Sequence, residues 1–255
     1  MTSECSQPPS PPTTGALRNT IREPGRTCRL CTAPVDGYEL CFCCHRHRRL
    51  RGLADVVAPL VYAVAGEASA RHLSGYKNCP QRRDRDRHAD VVAALLASGL
   101  HHEPCVVASV GIPISAYAVV PSLTSRPGRH PLTAIASSLR PIDEQLLAAT
   151  LDSPCDRTIR LDKFTVGSPE AVCARHVAVI DDVWTTGANA QSAALTMRRA
   201  GAAAVSVLVV GRWIDPRHPA TGRFVAHRQW ASYDPLQCPV NVQRCRVSTE
   251  RALIA

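Results

Sequence analysis

The chain has 255 residues, enough for one sizeable hydrophobic core and a small appendage. Hydrophobic residues make up 45% and charged residues 20%, an ordinary globular composition that excludes a wholly disordered chain. The 30 basic and 21 acidic residues give a net charge of +9, which favours an anionic ligand or partner but does not separate nucleic acid from phosphate groups.

The first 26 residues are rich in Pro, Ser and Thr and contain few large apolar side chains. Such a composition cannot bury enough surface to offset the entropy of ordering, so we expect residues 1–26 to form a disordered tail. The start of the chain shows no secretion-signal pattern, and we expect a cytoplasmic protein. In that reducing environment the twelve cysteines are expected to bind metal rather than form disulfides.

Residues 27–50 form a block rich in cysteine and arginine. Its main ligand candidates are four cysteines in two C-x2-C pairs: Cys28 and Cys31, then Cys41 and Cys44. Four thiolates in two such pairs suit a tetrahedral zinc ion, and Asp36-Gly37 offers a tight turn that would bring the pairs together. We therefore predict a zinc-ribbon-like module, in which three neighbours are alternative fourth ligands: Cys43, His45 and His47.

From residue 54 onward, apolar strands alternate with helical patterns, which predicts an α/β domain over residues 54–215 with a parallel sheet covered by helices. The predicted strands span 54–64, 116–123, 176–182 and 204–213. The predicted helices span 66–78, 87–100, 130–139, 141–151 and 189–202. Residues 104–125 carry no charge, but prolines and a glycine interrupt them, so we expect buried structure and no membrane-spanning helix.

The stretch "VAVIDDVWTTGAN" at residues 177–189 carries the strongest functional signal. Ligands of an open parallel sheet bind at the carboxyl ends of its strands, where Asp181 and Asp182 are expected. The loop that follows leads into a helix whose first N–H groups have no partner within the helix. Gly187 lets the backbone approach a ligand closely, so the loop can hold a phosphate group. The two carboxylates can accept hydrogen bonds from neighbouring hydroxyls or face a magnesium ion. A ligand with a phosphate group at one end and two adjacent hydroxyls beside it is a ribose 5-phosphate.

The same stretch resembles the phosphoribosyl-pyrophosphate signature of type I phosphoribosyltransferases. The resemblance implies that Asp181 and Asp182 hold the ribose hydroxyls. It also implies that five loop residues hold the 5-phosphate: Thr185, Thr186, Gly187, Ala188 and Asn189. Asn189 departs from the family, which more often has Thr or Ser there, although an Asn side chain can still donate a hydrogen bond. The plain alternative is a strand–turn–helix corner with two solvated aspartates.

The order of the chain, with paired cysteines in front of such a domain, resembles the ComF family of competence-associated proteins over roughly residues 27–213. The resemblance implies a type I phosphoribosyltransferase fold with an N-terminal zinc module. It implies that the pair Tyr76-Lys77 is a family feature, with Lys77 as a ligand-binding residue. The loop after the Val-Pro strand would hold the pyrophosphate through four residues: Pro121, Ser122, Arg126 and Arg129. The family's Gln- and Arg-rich block is missing after this loop, which leaves the acceptor open.

These features imply an enzyme that takes phosphoribosyl pyrophosphate with magnesium and transfers the phosphoribosyl group to an acceptor that the sequence does not identify. No dedicated general base is evident, which fits a reaction whose acceptor supplies the nucleophile. One alternative is a DNA-uptake accessory protein that binds single-stranded DNA or a helicase. The net charge of +9 favours it, whereas an aromatic content of only 4% opposes base stacking. The other alternative is a regulator that senses phosphoribosyl pyrophosphate without turnover.

Two further cysteines, Cys238 and Cys245, lie in the C-terminal extension over residues 216–255. They could form a second metal pair or approach the N-terminal zinc. Because they are seven residues apart and no second pair accompanies them, we expect them to be packed or exposed instead.

Overall fold

The computed structural model describes residues 17–123, 129–150, 155–241, 245 and 247. Its strands are β1 (Val56–Val64), β2 (Ile114–Val119), β3 (Leu147–Ala149), β4 (Phe164–Val166), β5 (His176–Trp184) and β6 (Ala204–Ile214). Its α-helices are α1 (Phe42–His47), α2 (Ala68–Asn78), α3 (Arg82–His101), α4 (Glu103–Val110), α5 (Pro131–Leu139), α6 (Ala188–Arg199) and α7 (Pro219–Ala226). The α/β prediction is confirmed.

The central sheet has four parallel strands in the order β1-β6-β5-β2. Because all four strands run in one direction, their carboxyl ends meet at one edge of the sheet. Ile180 of β5 pairs with Leu208 of β6 on one side and with Val119 of β2 on the other. The short strands β3 and β4 form a separate antiparallel pair.

Successive residues of the central strands point to opposite faces of the sheet, and both faces are buried. Val179 and Val207 pack into the core beneath α6, together with Met197 of that helix. Ile180 and Leu208 pack into the other core, which α2, α3 and α5 cover. Near-continuous apolar runs are therefore needed in β5 and β6, and the sequence supplies them.

The predicted disordered tail does not extend to residue 26, because residues 17–26 are ordered. The Thr20 N–H donates to the Leu60 carbonyl at 3.0 Å, and the Tyr62 N–H donates to the Arg18 carbonyl at 2.9 Å. Asn19 forms an antiparallel bridge with Val61, so the segment lines the outer edge of β1. Hydrogen bonds to the otherwise unpaired edge of β1 offset the entropy cost of ordering this segment. Its composition alone gave no sign of that partner. Residues 1–16 lie outside the described residues.

Most of the predicted elements are confirmed within a few residues, but the predicted helix over 141–151 is wrong. The Asp143 carboxylate accepts a hydrogen bond from the Gln145 N–H at 3.0 Å, which closes a turn. The chain then continues as β3, in which Leu147 pairs with Val166. A tertiary partner thus decides the structure of this segment.

Among the described residues, no single helix is both long enough and apolar enough to cross a membrane. Helices α3 and α4 meet those criteria only as a pair, and the chain bends by 44° between them.

The order of the N-terminal segment can be tested by truncating one of its side chains. Leu17 is 2% exposed, so Leu17→Ala should lower the free energy of unfolding by about 2–5 kcal/mol through lost burial and a cavity. Leu50 is 44% exposed, and Leu50→Ala should change it by less than about 0.5 kcal/mol. Denaturant unfolding measures both, and equal losses would show that residues 17–26 are not part of the folded domain.

Candidate functional site

A cavity of about 310 Å³ opens at the carboxyl end of β5. Its lining from β5 and the loop that follows is Asp181, Val183, Thr185, Thr186, Gly187, Ala188 and Asn189. A second chain segment supplies Cys155, Asp156 and Arg157. Five predicted phosphate-binding residues and one of the two predicted aspartates therefore share one cavity.

The loop between β5 and α6 is shaped by Gly187. This residue has a φ of 82°, in the left-handed region, and it immediately precedes the first residue of α6. A Cβ atom at this position would lie 2.1 Å from Cζ2 of Trp184, so the backbone rests directly on the indole ring. Only glycine satisfies both constraints. The result is a tight turn that delivers the N-terminus of a twelve-residue helix to the cavity.

The two aspartates of β5 have different partners, although each is only 9% exposed. The Asp182 carboxylate accepts a hydrogen bond from the Tyr76 hydroxyl at 2.6 Å and forms an ion pair with Lys77. The Asp181 carboxylate accepts a hydrogen bond from the Asp182 N–H at 2.9 Å. The structure thus brings the predicted ligand-binding residue Lys77 to the acidic pair.

Burial and the neighbouring Asp182 carboxylate raise the pKa of Asp181 to about 8, against a smaller opposing effect of Lys77. Asp181 is therefore mostly protonated at neutral pH. A protonated carboxyl can donate a hydrogen bond to a ligand hydroxyl and does not repel a phosphate group nearby. The two adjacent aspartates consequently add less negative charge to the cavity than their sequence suggests.

Lys163 holds together two segments that line the cavity, and the sequence pattern assigned it no role. Its side chain is fully buried, and its ammonium group donates to Asn189 Oδ1 at 3.2 Å and to the Asp156 carbonyl at 2.6 Å. It also forms an ion pair with the Asp156 carboxylate at 2.8 Å. Lys163 therefore fixes the start of α6 against the segment that carries Arg157. A single lysine in the sequence "LDKF" carries no local pattern that would have revealed this contact.

The residues predicted to hold a pyrophosphate are only partly assembled near the cavity. The Val120 N–H donates to the Ile180 carbonyl at 2.9 Å, so Pro121 and Ser122 leave the sheet beside the acidic pair. Arg129 lies before α5, where its guanidinium donates to Ser137 at 2.8 Å and pairs with Glu144. Arg126 lies outside the described residues. A pyrophosphate role for the two arginines stays a prediction.

The structure brings the four predicted cysteines of the N-terminal block together, and we call them the first cluster: Cys28, Cys31, Cys41 and Cys44. Their sulfurs all lie within 4.8 Å of one another. The sulfurs of Cys31 and Cys41 are 3.7 Å apart, close to the spacing of about 3.8 Å that two ligands of one tetrahedral zinc ion would have. These cysteines could hold a structural metal ion.

Arg212 of β6 connects the first cluster to the loop after β5. Its guanidinium donates to the Trp184 carbonyl at 2.8 Å and to the Thr185 carbonyl at 3.1 Å. It also lies against the Cys31 sulfur. The cysteine block and the sheet share one hydrophobic core, in which Cys28 and Cys31 pack with Trp184. The block is therefore built into the domain that carries the cavity.

The cavity thus combines a helix N-terminus, two carboxyl groups and nearby basic side chains. Such a set suits a ligand that presents a phosphate group next to hydroxyl groups. Models of known protein families, curated protein sequences and solved structures give no match to this chain. The functional interpretation therefore rests on the residues of the cavity and their geometry.

The role of Gly187 can be separated from its backbone conformation by a matched pair of substitutions. Gly111 also has a φ of 82°, but a Cβ there meets nothing within 4 Å, so Gly111→Ala should cost about 1–2 kcal/mol of stability. Gly187→Ala adds the collision with Trp184 and should cost about 1–3 kcal/mol more. Denaturant unfolding of both variants measures the difference. Equal costs would mean that the loop does not rest on the indole ring.

The pKa of Asp181 predicts a pH dependence of stability. Because the pKa is about 8 in the folded state and near 3.8 when unfolded, the folded protein holds the proton more tightly between those values. The contribution of Asp181 to the free energy of unfolding should therefore fall as pH rises from about 4 to about 8. Asp181→Asn removes this loss and should raise the melting temperature most at pH 8.

The exposed residue Asp90 provides the control for that pH series. Melting curves of Asp90→Asn should follow the wild type at every pH. An Asp181→Asn variant that melts below the wild type at pH 8 would contradict the raised pKa.

Proposed function

We propose that the chain binds phosphoribosyl pyrophosphate in this cavity and transfers the phosphoribosyl group to an acceptor. The observation that carries the proposal is the position of Asp181 and the loop 185–189 on one cavity at the carboxyl end of β5. A phosphate-binding loop beside a hydroxyl-binding acidic pair suits a ribose 5-phosphate. This is the arrangement that the resemblance to type I phosphoribosyltransferases and the ComF family implies.

In this proposal the 5-phosphate lies at the N-terminus of α6. The N–H groups of Ala188 and Asn189 precede any intrahelical acceptor, and the helix dipole adds partial positive charge there. Thr185 and Thr186 line the same wall and can donate their hydroxyl protons. Arg157, on the opposite segment, supplies a positive charge that sequence reasoning did not assign.

The ribose hydroxyls would meet the acidic pair. Asp182 is held in place by Tyr76 and Lys77, so its carboxylate needs no reorganisation when a ligand binds. Asp181 faces the cavity and can act as a donor or an acceptor, because its raised pKa permits both states near neutral pH. Asp182 is held by Tyr76 and Lys77, and Asp181 accepts from the Asp182 N–H; two adjacent carboxyl groups held in this way suit a vicinal diol.

Departure of pyrophosphate from the ribose requires charge neutralisation and positioning more than covalent help. Lys77 lies at the acidic pair, and Pro121 and Ser122 leave the sheet beside it, so the pyrophosphate end would extend in that direction. Magnesium bound to the pyrophosphate would supply further neutralisation, and carboxylate oxygens are ligands that it accepts. The acceptor supplies the nucleophile and remains unidentified.

A structural zinc ion in the first cluster completes this proposal. Four thiolates around one zinc ion keep a net negative charge, which would neutralise the buried guanidinium of Arg212. The same guanidinium holds the carbonyls of Trp184 and Thr185. The zinc ion would therefore support the phosphate loop without touching the ligand.

A second candidate function is single-stranded DNA binding as a DNA-uptake accessory protein, with or without a helicase partner. Phe42 and Tyr38 are 75% and 71% exposed, beside the basic run at 45–51. The guanidinium of Arg46 stands 5.6 Å from the ring centre of Phe42. Exposed aromatic rings among arginines are the usual means of stacking unpaired bases. A regulator that senses phosphoribosyl pyrophosphate would use the proposed cavity without turnover.

The acidic pair gives the direct test of the proposed function. Charge-assisted hydrogen bonds are worth about 1.5–3 kcal/mol each, so Asp182→Asn should weaken binding of phosphoribosyl pyrophosphate with magnesium about ten- to a hundred-fold. Isothermal titration calorimetry measures the affinity, and the exposed Asp90→Asn serves as the control.

Three outcomes separate the candidates. Unchanged or tighter binding by Asp182→Asn would contradict the assignment of the acidic pair. Binding without pyrophosphate release across purine, pyrimidine and amine acceptors would favour the regulator. No binding by the wild type, together with a salt-dependent shift of a single-stranded oligonucleotide, would favour the DNA-binding candidate.

A further inference from the structure

We propose that the chain has a second structural zinc site, formed by His102, Cys105, Cys238 and Cys245. The donor atoms of these residues all lie within 4.8 Å of one another, and all four side chains are buried. Cys238 and Cys245 are buried, as the packed alternative predicts, and the fold brings two further donors to them that the spacing of the cysteines did not reveal. Their partners come from the junction between α3 and α4, to which the sequence pattern assigned no metal ligand.

The distances within the second cluster fit one tetrahedral ion. Zinc bonds of about 2.3 Å to sulfur and about 2.0–2.1 Å to nitrogen place neighbouring sulfurs about 3.8 Å apart and a sulfur and a nitrogen about 3.6 Å apart. The sulfurs of Cys105 and Cys245 are 3.8 Å apart, and the Cys245 sulfur is 3.6 Å from Nδ1 of His102. A disulfide would require about 2.05 Å between the sulfurs. Three sulfurs and one imidazole nitrogen are a ligand set typical of structural zinc.

The backbone presents these donors in the way that a metal site needs. The Cys105 N–H donates to the His102 carbonyl at 2.9 Å, so one helical turn places both side chains on the same face. On the other segment, the Asn241 N–H donates to the Cys238 sulfur at 3.4 Å. Hydrogen bonds of this kind orient the ligands of a metal site.

Burial is the second reason to infer a bound ion. His102 is 1% exposed, and its Nε2 has no hydrogen-bond partner within the described part of the chain. A buried imidazole that lacks such a partner is costly unless another bond holds it. A zinc ion on Nδ1, the nitrogen that faces Cys245, would fix the ring and leave the proton on Nε2, and the metal bond would offset the cost of that unpaired group.

The second cluster joins segments that are far apart in sequence. Cys105 and Cys245 are separated by 140 positions. Beside Cys238, the Gln237 side chain donates to the Thr20 carbonyl at 2.8 Å, and the Pro239 carbonyl accepts from Arg22 at 2.9 Å. A zinc ion here would hold the C-terminal extension on α4, and that extension in turn holds the ordered N-terminal segment.

Metal content tests the proposal in the full-length, tag-free protein purified without chelator. Elemental analysis should give two zinc ions per chain, one for each cluster. Cys105→Ser and Cys238→Ser should each lower the content to one, as should Cys28→Ser in the first cluster. Cys173→Ser alters an exposed cysteine and should leave two. His102→Cys should also leave two, because four cysteines bind zinc as well as three cysteines and a histidine.

One zinc ion in the wild type, or two in Cys105→Ser, would overturn the proposal. X-ray absorption at the zinc edge keeps the test valid if a variant fails to fold, because it uses the wild type alone. The two clusters together predict seven sulfur ligands and one nitrogen ligand over two ions. A zinc environment of sulfur only, or a Cys105–Cys245 disulfide in the purified protein, would contradict the second site.

Discussion

The buried guanidinium of Arg212 is the contact on which the geometry of the candidate site depends. A buried charge is costly unless partners surround it, and here they come from two sides. The carbonyls of Trp184 and Thr185 accept from it at the loop between β5 and α6, and the Cys31 sulfur lies against it from the cysteine block. In the proposed zinc-bound state, the thiolates of the first cluster would supply its counter-charge. The cysteine block and the loop are joined through this one side chain, although they are distant in sequence.

The sheet could be predicted because its pattern is local. Long apolar runs such as β5 and β6 can be buried on both faces only within a parallel sheet. The segments that were mispredicted depend on distant partners instead. Residues 17–26 are ordered because they exchange hydrogen bonds with the edge of β1, and Leu147 is in a strand because Val166 pairs with it. Composition and periodicity carry no information about such partners.

The residues of the candidate site also fall into two groups, those that are close in sequence and those that only the fold brings together. Asp181 and the loop after it lie within one short stretch, so the sequence alone predicts that they are neighbours. The two C-x2-C pairs predict the first cluster in the same way. Lys163 and Arg157 reach the cavity from another segment, and only the fold shows their positions. The second cluster combines two spacings that are each uninformative. Its four members become a set of donors that could hold a metal ion only when the fold brings the two segments together.

The two ends of the described chain meet along β1, which has a consequence for synthesis. The side chain of Asn19 exchanges hydrogen bonds of 2.9 and 2.8 Å with the backbone of Asp234, and Glu23 pairs with Arg228 at 2.6 Å. On the ribosome, residues 19–23 must wait for residues 228–234 to be made before these contacts can form. Until then β1 presents an incompletely covered edge, the kind of surface on which nascent chains associate. The contacts that hold the segment at residues 19–23 are therefore completed only after residues 228–234 have been made.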